Sequence, residues 1–183
     1  MFLYFFEGYN KMNTNSDDLI LRALYMYCLE NNKEIDFEKL SVIRYEGEKP
    51  YFEGAELFFN ISHSGTMWVC AIDEKEVGID LQEVSDRDFE KLSSRFFTEN
   101  EQQHVNLWGR EGFYNIWTRK EAYCKLYGQS VLSVLKEIDT VDGDFYKEKV
   151  NNAYFYEIEI SQDIKCVTAC EEGGKEICLR MIN

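Results

Sequence analysis

Short apolar segments, each followed by a polar turn, run through most of this chain. Residues 2–6, 67–72 and 164–170 have the length and residue types of strands. Helices are predicted at residues 99–108, with Thr98 as the N-cap, and at residues 111–127, where apolar positions repeat at helical spacing and Gly128 is the expected stop. Strands and helices are mixed without a regular βαβ alternation, so the sequence predicts an α+β fold, or loosely an α/β fold. With one proline, no Gly/Ser-rich linker and no visible repeat, the 183 residues are expected to form one compact unit.

The charge of the chain restricts its partners. Lys and Arg number 20 against 34 Asp and Glu, a formal net charge of −14, which argues against nucleic acid or an anionic membrane as the main partner. No apolar run reaches the roughly 18 to 20 residues of a membrane span. The opening MFLYFF has no basic leader and is ended by Glu7, so we interpret it as a first strand. The six cysteines are then expected to be reduced thiols in a cytoplasmic protein.

A polar turn is predicted between two strands at residues 62–65, where the sequence reads Ser-His-Ser-Gly. Ser62 and Ser64 offer hydroxyls, His63 offers an imidazole, and Gly65 gives the backbone freedom to bend. Donors of this kind can hold a phosphate group. The alternative is a polar turn whose side chains bond their own backbone, which is a common arrangement.

An acidic residue follows an apolar strand in the segment VGIDLQ, residues 77–82. Asp80 and Gln82 are two residues apart, so both side chains are expected on the same face of a strand. Such a strand end is a common way to present a carboxylate to a divalent ion. The alternative is an ordinary strand end with a solvated Asp.

Residues 117–125, WTRKEAYCK, place two charged side chains on a helix face that begins with a tryptophan. Glu121 and Lys125 are one helical turn apart, and the simplest interpretation is an exposed ion pair of little energetic weight. The alternative is a half-buried face on which Glu121 and a distant Asp80 complete a magnesium site. Lys120 and Lys125 would then balance the charge of a phosphate.

Other nucleophiles and metal ligands have weaker patterns. Cys166, Cys170 and Cys178 lack the spacing of a zinc site and are interpreted as small apolar strand residues. His104 lies in an acidic, polar helix and is predicted to be solvated. No GxGxxG, Walker or GxSxG motif occurs.

Taken in order, five short motifs resemble those of the 4′-phosphopantetheinyl transferases of the surfactin-synthetase-activating (Sfp-like) type. They are EGEKP (46–50), FNISHSG (59–65), VGID (77–80), FTENE (97–101) and WTRKEAYCK (117–125). Each motif alone is a weak signal, but all five in this order at the family's spacing are a strong one. Beyond about residue 130 the resemblance is limited to the pattern of strands.

The resemblance implies a pseudo-dimer of two similar α+β halves, residues 1–77 and 78–183, with coenzyme A and Mg²⁺ in the cleft between them. The implied reaction is attack by a serine of an apo-acyl or apo-peptidyl carrier protein on the β-phosphate of coenzyme A. The carrier receives phosphopantetheine, and adenosine 3′,5′-bisphosphate is released. The alternative is a non-catalytic member of the fold that binds coenzyme A or a carrier. The internal pseudo-dimer makes a monomer the expected state.

The resemblance also assigns roles by motif position. Mg²⁺ is expected on Asp80 and Glu121, with Gln82 nearby; many relatives have Glu at the position of Gln82. A general base for the serine is expected at Glu101, with Glu121 as a rival. Coenzyme A and its phosphates are expected to contact the remaining motif residues and the metal ligand, namely Lys49, Ser62, His63, Asp80, Lys120 and Lys125.

Carrier proteins are usually acidic around their serine, so the net charge of this chain does not attract them. Contact is therefore expected through apolar side chains with local basic groups. Arg95, Phe96, Phe97 and Trp108 are the candidates, and the alternative for them is core packing.

Overall fold

The computed structural model describes residues 1–130 and 134–183. Within these residues it has helices α1 (Ser16–Asn31), α2 (Phe89–Phe96) and α3 (Glu99–Tyr127). The strands are β1 (Phe2–Glu7), β2 (Ser41–Ile43), β3 (Tyr51–Glu53), β4 (Phe58–Ser64), β5 (Met67–Asp73), β6 (Val77–Glu83), β7 (Val141–Asp142), β8 (Phe145–Tyr146), β9 (Lys149–Val150), β10 (Ala153–Ser161), β11 (Ile164–Cys170) and β12 (Cys178–Met181). This mixture confirms the predicted α+β class. None of the helices in the described ranges is both long and apolar enough to cross a membrane.

The first sheet has the strand order β12-β1-β5-β4, and α1 packs against it. Asn15 caps the start of α1, because its side chain accepts the backbone N–H of Asp17. Ile20, Leu24 and Tyr27 share one face of α1 and are buried in the core that this sheet forms. Each fully buried side chain of this size stabilises the fold by about 1.5–3 kcal/mol, so the apolar face fixes α1 on the sheet.

The second sheet has the order β6-β11-β10-β9, and α3 lies across β6 and β11. The close approach of α3 to β6 depends on Gly78. A Cβ atom at this position would lie 2.1 Å from the carbonyl oxygen of Ala122, so any larger residue would push the helix away. Glycine at residue 78 therefore brings the α3 backbone directly onto the strand that carries Asp80.

Helix α3 combines the two helices expected at residues 99–108 and 111–127. A break at Gly109 separates them. Gly109 has φ 59° and ψ −139° inside the helix, a conformation that favours glycine. The predicted N-cap at Thr98 and the predicted stop at Gly128 are both confirmed, the latter with φ 61°.

The two four-stranded sheets contain the same order of elements. In the first, a strand, a helix and a hairpin follow as β1, α1, β4 and β5; in the second, they follow as β6, α3, β10 and β11. In each sheet the first strand pairs antiparallel with the second strand of the hairpin. The last strand, β12, comes from the end of the chain but joins β1 in the first sheet. The sheets thus do not separate completely at the expected boundary of residues 77 and 78.

The turn expected at residues 62–65 is shorter than predicted. Strand β4 continues through Ser64, and the turn begins at Gly65, which has φ 56°. The strand continues because its backbone pairs antiparallel with β5 as far as Ser64, which lies opposite Met67. Ser62 and Ser64 also accept hydrogen bonds from the backbone N–H groups of Leu81 and Glu83 in β6. These bonds are long-range, so the local sequence does not reveal them.

The prediction that His104 is solvated is wrong. Its side chain is buried, its Nδ1 lies 3.1 Å from the carbonyl oxygen of Gly143, and its ring packs 4.8 Å from that of Tyr146. The chain segment after α3 covers this helix face. The interpretation of Cys166, Cys170 and Cys178 as strand residues is confirmed, because the first two are buried in β11 and Cys178 begins β12.

Candidate active site

Asp80 is the centre of a polar cluster between the two sheets. Its side chain is 2% exposed. One carboxylate oxygen, Oδ1, accepts hydrogen bonds from Ser62 Oγ at 2.9 Å and from Lys125 Nζ at 2.7 Å. The other oxygen, Oδ2, accepts from Gln82 Nε2 at 3.0 Å. Four of the nine predicted site residues are thus in direct contact.

Glu121 is a fifth member of this cluster, one turn before Lys125 on α3. Burial, together with the negative charge of Asp80, raises the pKa of Glu121 to about 7, and Lys125 opposes part of this shift. No other described residue makes a hydrogen bond or an ion pair with the Glu121 carboxylate. A half-buried carboxylate without a partner is costly to a fold, and this one faces a second carboxylate.

The hydroxyl of Ser62 is already fully used. It donates its only proton to Asp80 and accepts from the Leu81 N–H at 3.1 Å and from Lys125 Nζ at 3.1 Å. A hydroxyl has one proton and two lone pairs. For Ser62 to bind a phosphate, as the motif predicts, one of these three bonds would have to be exchanged.

His63 and Lys49 lie at the edge of the cluster. Partial burial and the positive charges of Lys11 and Lys125 lower the pKa of His63, so the ring is neutral at pH 7. The His63 ring packs 4.9 Å from the Tyr9 ring. Lys49 Nζ donates to the Val77 carbonyl oxygen at 2.7 Å.

Lys49 also pairs with Glu76, and its burial lowers its pKa. Sequence analysis did not identify Lys11, whose ammonium group is one of the charges that lower the pKa of His63. The only available signal was its basic character in a segment that has few other basic residues.

Glu101 and Lys120 form a buried ion pair of their own, 2.6 Å apart, with both side chains 0% exposed. The second carboxylate oxygen of Glu101 accepts the N–H and the hydroxyl of Thr140 at 3.0 and 2.9 Å. Lys120 also donates to backbone carbonyls, including that of Ile138 at 2.7 Å. Among the described residues, no hydrogen bond or ion pair joins this pair to Asp80, and neither residue faces solvent. The structure thus does not bring Glu101 or Lys120 into the cluster that the motifs predicted.

The donor set around Asp80 fits a magnesium ion that is shared with a ligand. Among the described residues, no group of three or more His, Cys, Asp and Glu side chains is arranged to enclose a metal. Magnesium is commonly held by one or two carboxylates, with substrate phosphates and waters completing its coordination. Asp80 and Glu121 supply two carboxylates, and the unpartnered oxygens of Glu121 are suitable ligands. Gln82 directs its amide nitrogen to Asp80 in this structure.

The candidate carrier contacts differ in exposure. Phe97 is buried and stacks on Phe113 at 5.2 Å, so it is a core residue and its expected role in docking is wrong. Phe96 is half-buried, and the Arg95 guanidinium lies 5.0 Å from the centre of its ring. Trp108 is 53% exposed beside the α3 break.

Comparison with known proteins agrees with these motifs. A family model for the 4′-phosphopantetheinyl transferase superfamily matches residues 76–170, slightly more than half of the chain. The 4′-phosphopantetheinyl transferase gsp of Aneurinibacillus migulanus is 31% identical over 159 residues, which cover 81% of this chain and 64% of that protein. The 4′-phosphopantetheinyl transferase HetI of Nostoc sp. is 32% identical over 130 residues, 67% of this chain and 54% of that protein.

A third relative is the 4′-phosphopantetheinyl transferase AcpT of Salmonella typhimurium. It is 34% identical over 102 residues, which cover 52% of this chain and 53% of that protein. The chain thus spans between 53% and 64% of the length of these three relatives. The matched segment carries Asp80, Gln82, Glu121 and Lys125. The chain belongs to the 4′-phosphopantetheinyl transferase superfamily.

Proposed function

We propose that this protein transfers 4′-phosphopantetheine from coenzyme A to a serine of an apo-acyl or apo-peptidyl carrier protein. In this reaction the serine oxygen forms a bond to the β-phosphorus of coenzyme A. The bond between the β-phosphorus and the oxygen that bridges the two phosphates breaks, and adenosine 3′,5′-bisphosphate is released. The main support is the convergence of Asp80 from β6 with Glu121 and Lys125 from α3 at one half-buried site. The names of the superfamily relatives agree with this activity.

Asp80 and Glu121 would hold Mg²⁺ in this proposal, with Gln82 beside them. When bound, the ion supplies positive charge that neutralises the pyrophosphate oxygens in a loose transition state. Lys125 has three N–H donors, and Asp80 and Ser62 take two of them. The third is free to bind a phosphate oxygen. Phosphate binding by a compact ammonium of this kind is a common use of lysine.

The edge of the cluster would hold the rest of coenzyme A. The neutral His63 ring can donate one N–H to a phosphate without adding charge. Lys49 would bind the adenosine side with its 3′-phosphate, exchanging its bond to Glu76 for one to the phosphate. In a chain of net charge −14, local lysines are required for an anionic substrate.

Proton acceptance from the serine is assigned to Glu121, in preference to Glu101. Glu101 is fully buried, and its oxygens are engaged by Lys120 and Thr140. The Glu121 carboxylate lies half-buried beside Asp80 and has no hydrogen-bond partner among the described residues, so its oxygens are available to a substrate proton. Its two oxygens allow one to ligate the ion and the other to accept a proton through a water.

We also propose that the two halves are a pseudo-dimer divided near residue 77 and that the protein is a cytoplasmic monomer. The equal order of β1, α1, β4, β5 and of β6, α3, β10, β11 supports the pseudo-dimer. The free thiols of all six cysteines fit a reducing compartment.

The transfer assay separates this enzyme from a non-catalytic binder of coenzyme A or of a carrier. The protein is mixed with coenzyme A, Mg²⁺ and a set of apo-carriers, and the mass of each carrier is followed. At least one carrier is expected to gain one phosphopantetheine group. A carrier whose acceptor serine is replaced by alanine is the control. If every carrier stays unmodified while an established transferase modifies all of them, the proposed activity is wrong.

Gln82 gives a prediction about metal affinity. The Gln82→Glu substitution adds a carboxylate beside Asp80, and we expect it to increase the Mg²⁺ affinity of the free protein. At saturating Mg²⁺ and coenzyme A, turnover should change little, because the pyrophosphate then contributes most of the ligand charge. Titration of Mg²⁺ with and without coenzyme A measures both effects.

The matched control is Gln162→Glu, which adds the same charge in the exposed turn between β10 and β11. It should leave the Mg²⁺ titration unchanged. If Gln82→Glu gives the same titration curve as the wild type, Gln82 does not approach the ion and acts only by orienting Asp80.

A further inference from the structure

Three polar side chains of β4 replace backbone pairing between the two sheets. Asn60, Ser62 and Ser64 alternate along the strand and point to the same side. Asn60 Oδ1 accepts the N–H of Ile79 at 3.2 Å, and Ser64 Oγ accepts that of Glu83 at 2.9 Å. The Ser62 bond to the Leu81 N–H lies between these two. We call this set of three bonds the β4–β6 ladder.

The ladder closes an edge that would otherwise be open. Strand β6 pairs with β11 along one edge, and alternate N–H groups point to its other edge. Those groups bond to the side chains of Asn60, Ser62 and Ser64 rather than to another backbone. Buried backbone donors need such partners, so the ladder fixes β4 of the first sheet against β6 of the second.

Of the three ladder residues, Ser62 is the one whose side chain also contacts the site. Its hydroxyl bonds to Asp80 and Lys125. Among the described residues, the side chains of Asn60 and Ser64 bond only to backbone N–H groups of β6. The Ser62 hydroxyl thus links β4, β6 and α3 through one atom. Because this atom has no free proton or lone pair, it holds the two charged groups without being able to bind a phosphate itself.

We propose that Ser62 is a positioning residue, which fixes the Asp80 carboxylate and the Lys125 ammonium from the opposite sheet instead of binding the phosphates of coenzyme A. This inference rests on the proposed transfer function. Without the hydroxyl, the Asp80 carboxylate is free to rotate, and Lys125 loses one of the two atoms that hold it. Small misplacements of groups that orient a phosphoryl transfer cost large factors in rate.

The test compares Ser62→Ala with Ser64→Ala, which removes a neighbouring bond of the same ladder without touching Asp80. Steady-state transfer is measured at saturating Mg²⁺ with coenzyme A as the varied substrate. For Ser62→Ala we expect kcat to fall by about 10- to 100-fold, with KM for coenzyme A changed by less than about threefold. Ser64→Ala should keep the kcat of the wild type. Ser62→Thr retains the hydroxyl and should recover most of the lost kcat.

Amide hydrogen exchange at Leu81 checks the bond without any reaction. The Leu81 N–H should exchange faster in Ser62→Ala than in Ser64→Ala, because only the former removes its acceptor. If Ser62→Ala does not fold, Ser62→Cys keeps the volume with a weaker donor and should show an intermediate kcat. The same comparisons then apply.

Three outcomes would overturn the inference. A rise in KM for coenzyme A of about tenfold or more with kcat unchanged would mean that Ser62 contacts the phosphates directly. Equal kinetics of Ser62→Ala and Ser64→Ala, or unchanged exchange at Leu81 in Ser62→Ala, would mean that the Ser62 hydroxyl does not link β6 to the site. If the wild-type protein itself transfers nothing, the proposed function is wrong and this inference is wrong with it. That result is distinguishable from the first two, in which the wild type is active.

Discussion

Replacing Glu121 by Gln should abolish transfer while making the folded protein more stable above pH 7. The substitution removes one of the two carboxylates expected to hold Mg²⁺, together with the assigned proton acceptor. Loss of one preorganised charge-stabilising group in an active site costs about 10²- to 10³-fold in kcat. We therefore expect at least this reduction in carrier modification, measured by mass at saturating coenzyme A.

The gain in stability follows from the pKa of Glu121. Burial and the charge of Asp80 raise this pKa from its ordinary value of 4.5 to about 7 in the folded protein. Between these values the unfolded chain has lost the proton while the folded protein keeps it, so the free energy of unfolding decreases as the pH rises. Above pH 7 the folded protein holds an unfavourable carboxylate, at a cost of about 2–3 kcal/mol.

Urea unfolding of wild type and Glu121→Gln at several pH values measures this effect. The variant should be more stable by about 2–3 kcal/mol at pH 8, and the difference should vanish near pH 4, where both side chains are neutral. Glu111→Gln, which removes an exposed carboxylate from the same helix, is the control and should have little effect. A Glu121→Gln variant that is less stable than the wild type at pH 8 would contradict the burial of an unpartnered carboxylate.

The second large effect is expected at the buried pair of Glu101 and Lys120. Replacing Glu101 by Ala leaves the Lys120 ammonium without its counter-charge in a site with no solvent exposure. It also removes the acceptor for two donors of Thr140 and the reciprocal bond of the α3 capping box with Thr98. Breaking a buried ion pair on one side costs about 3–5 kcal/mol, a large fraction of the total stability of a domain.

Urea unfolding of Glu101→Ala and of Lys120→Met should both show this loss. Glu99→Ala, an exposed residue of the same first turn of α3, is the matched control and should change stability by less than about 1 kcal/mol. Glu101→Gln keeps an oxygen for Thr140 and should be less destabilising than Glu101→Ala. If Glu101→Ala is as stable as the wild type but transfers slowly, Glu101 is a general base and its assignment to the core is wrong.

Local sequence was sufficient to place most of the elements. The strand at residues 164–170 and the helix that ends at Gly128 follow from apolar spacing and from a glycine stop, which depend on neighbouring residues alone. The period of two between Asp80 and Gln82 likewise predicted a shared face, and the structure joins their side chains directly. Glu121 and Lys125 share one helix face for the same kind of reason.

The sequence by itself therefore determined the α+β class, most strand and helix positions, and the ordered motifs that place this chain in its superfamily. Only the tertiary structure decided which polar residues face one another. A charged or hydroxyl side chain has the same local pattern whether it meets solvent, a phosphate or a buried partner. Glu101 became a core residue because Lys120 and Thr140 come to it from distant segments, and Ser62 became a link because β6 and α3 meet at its hydroxyl.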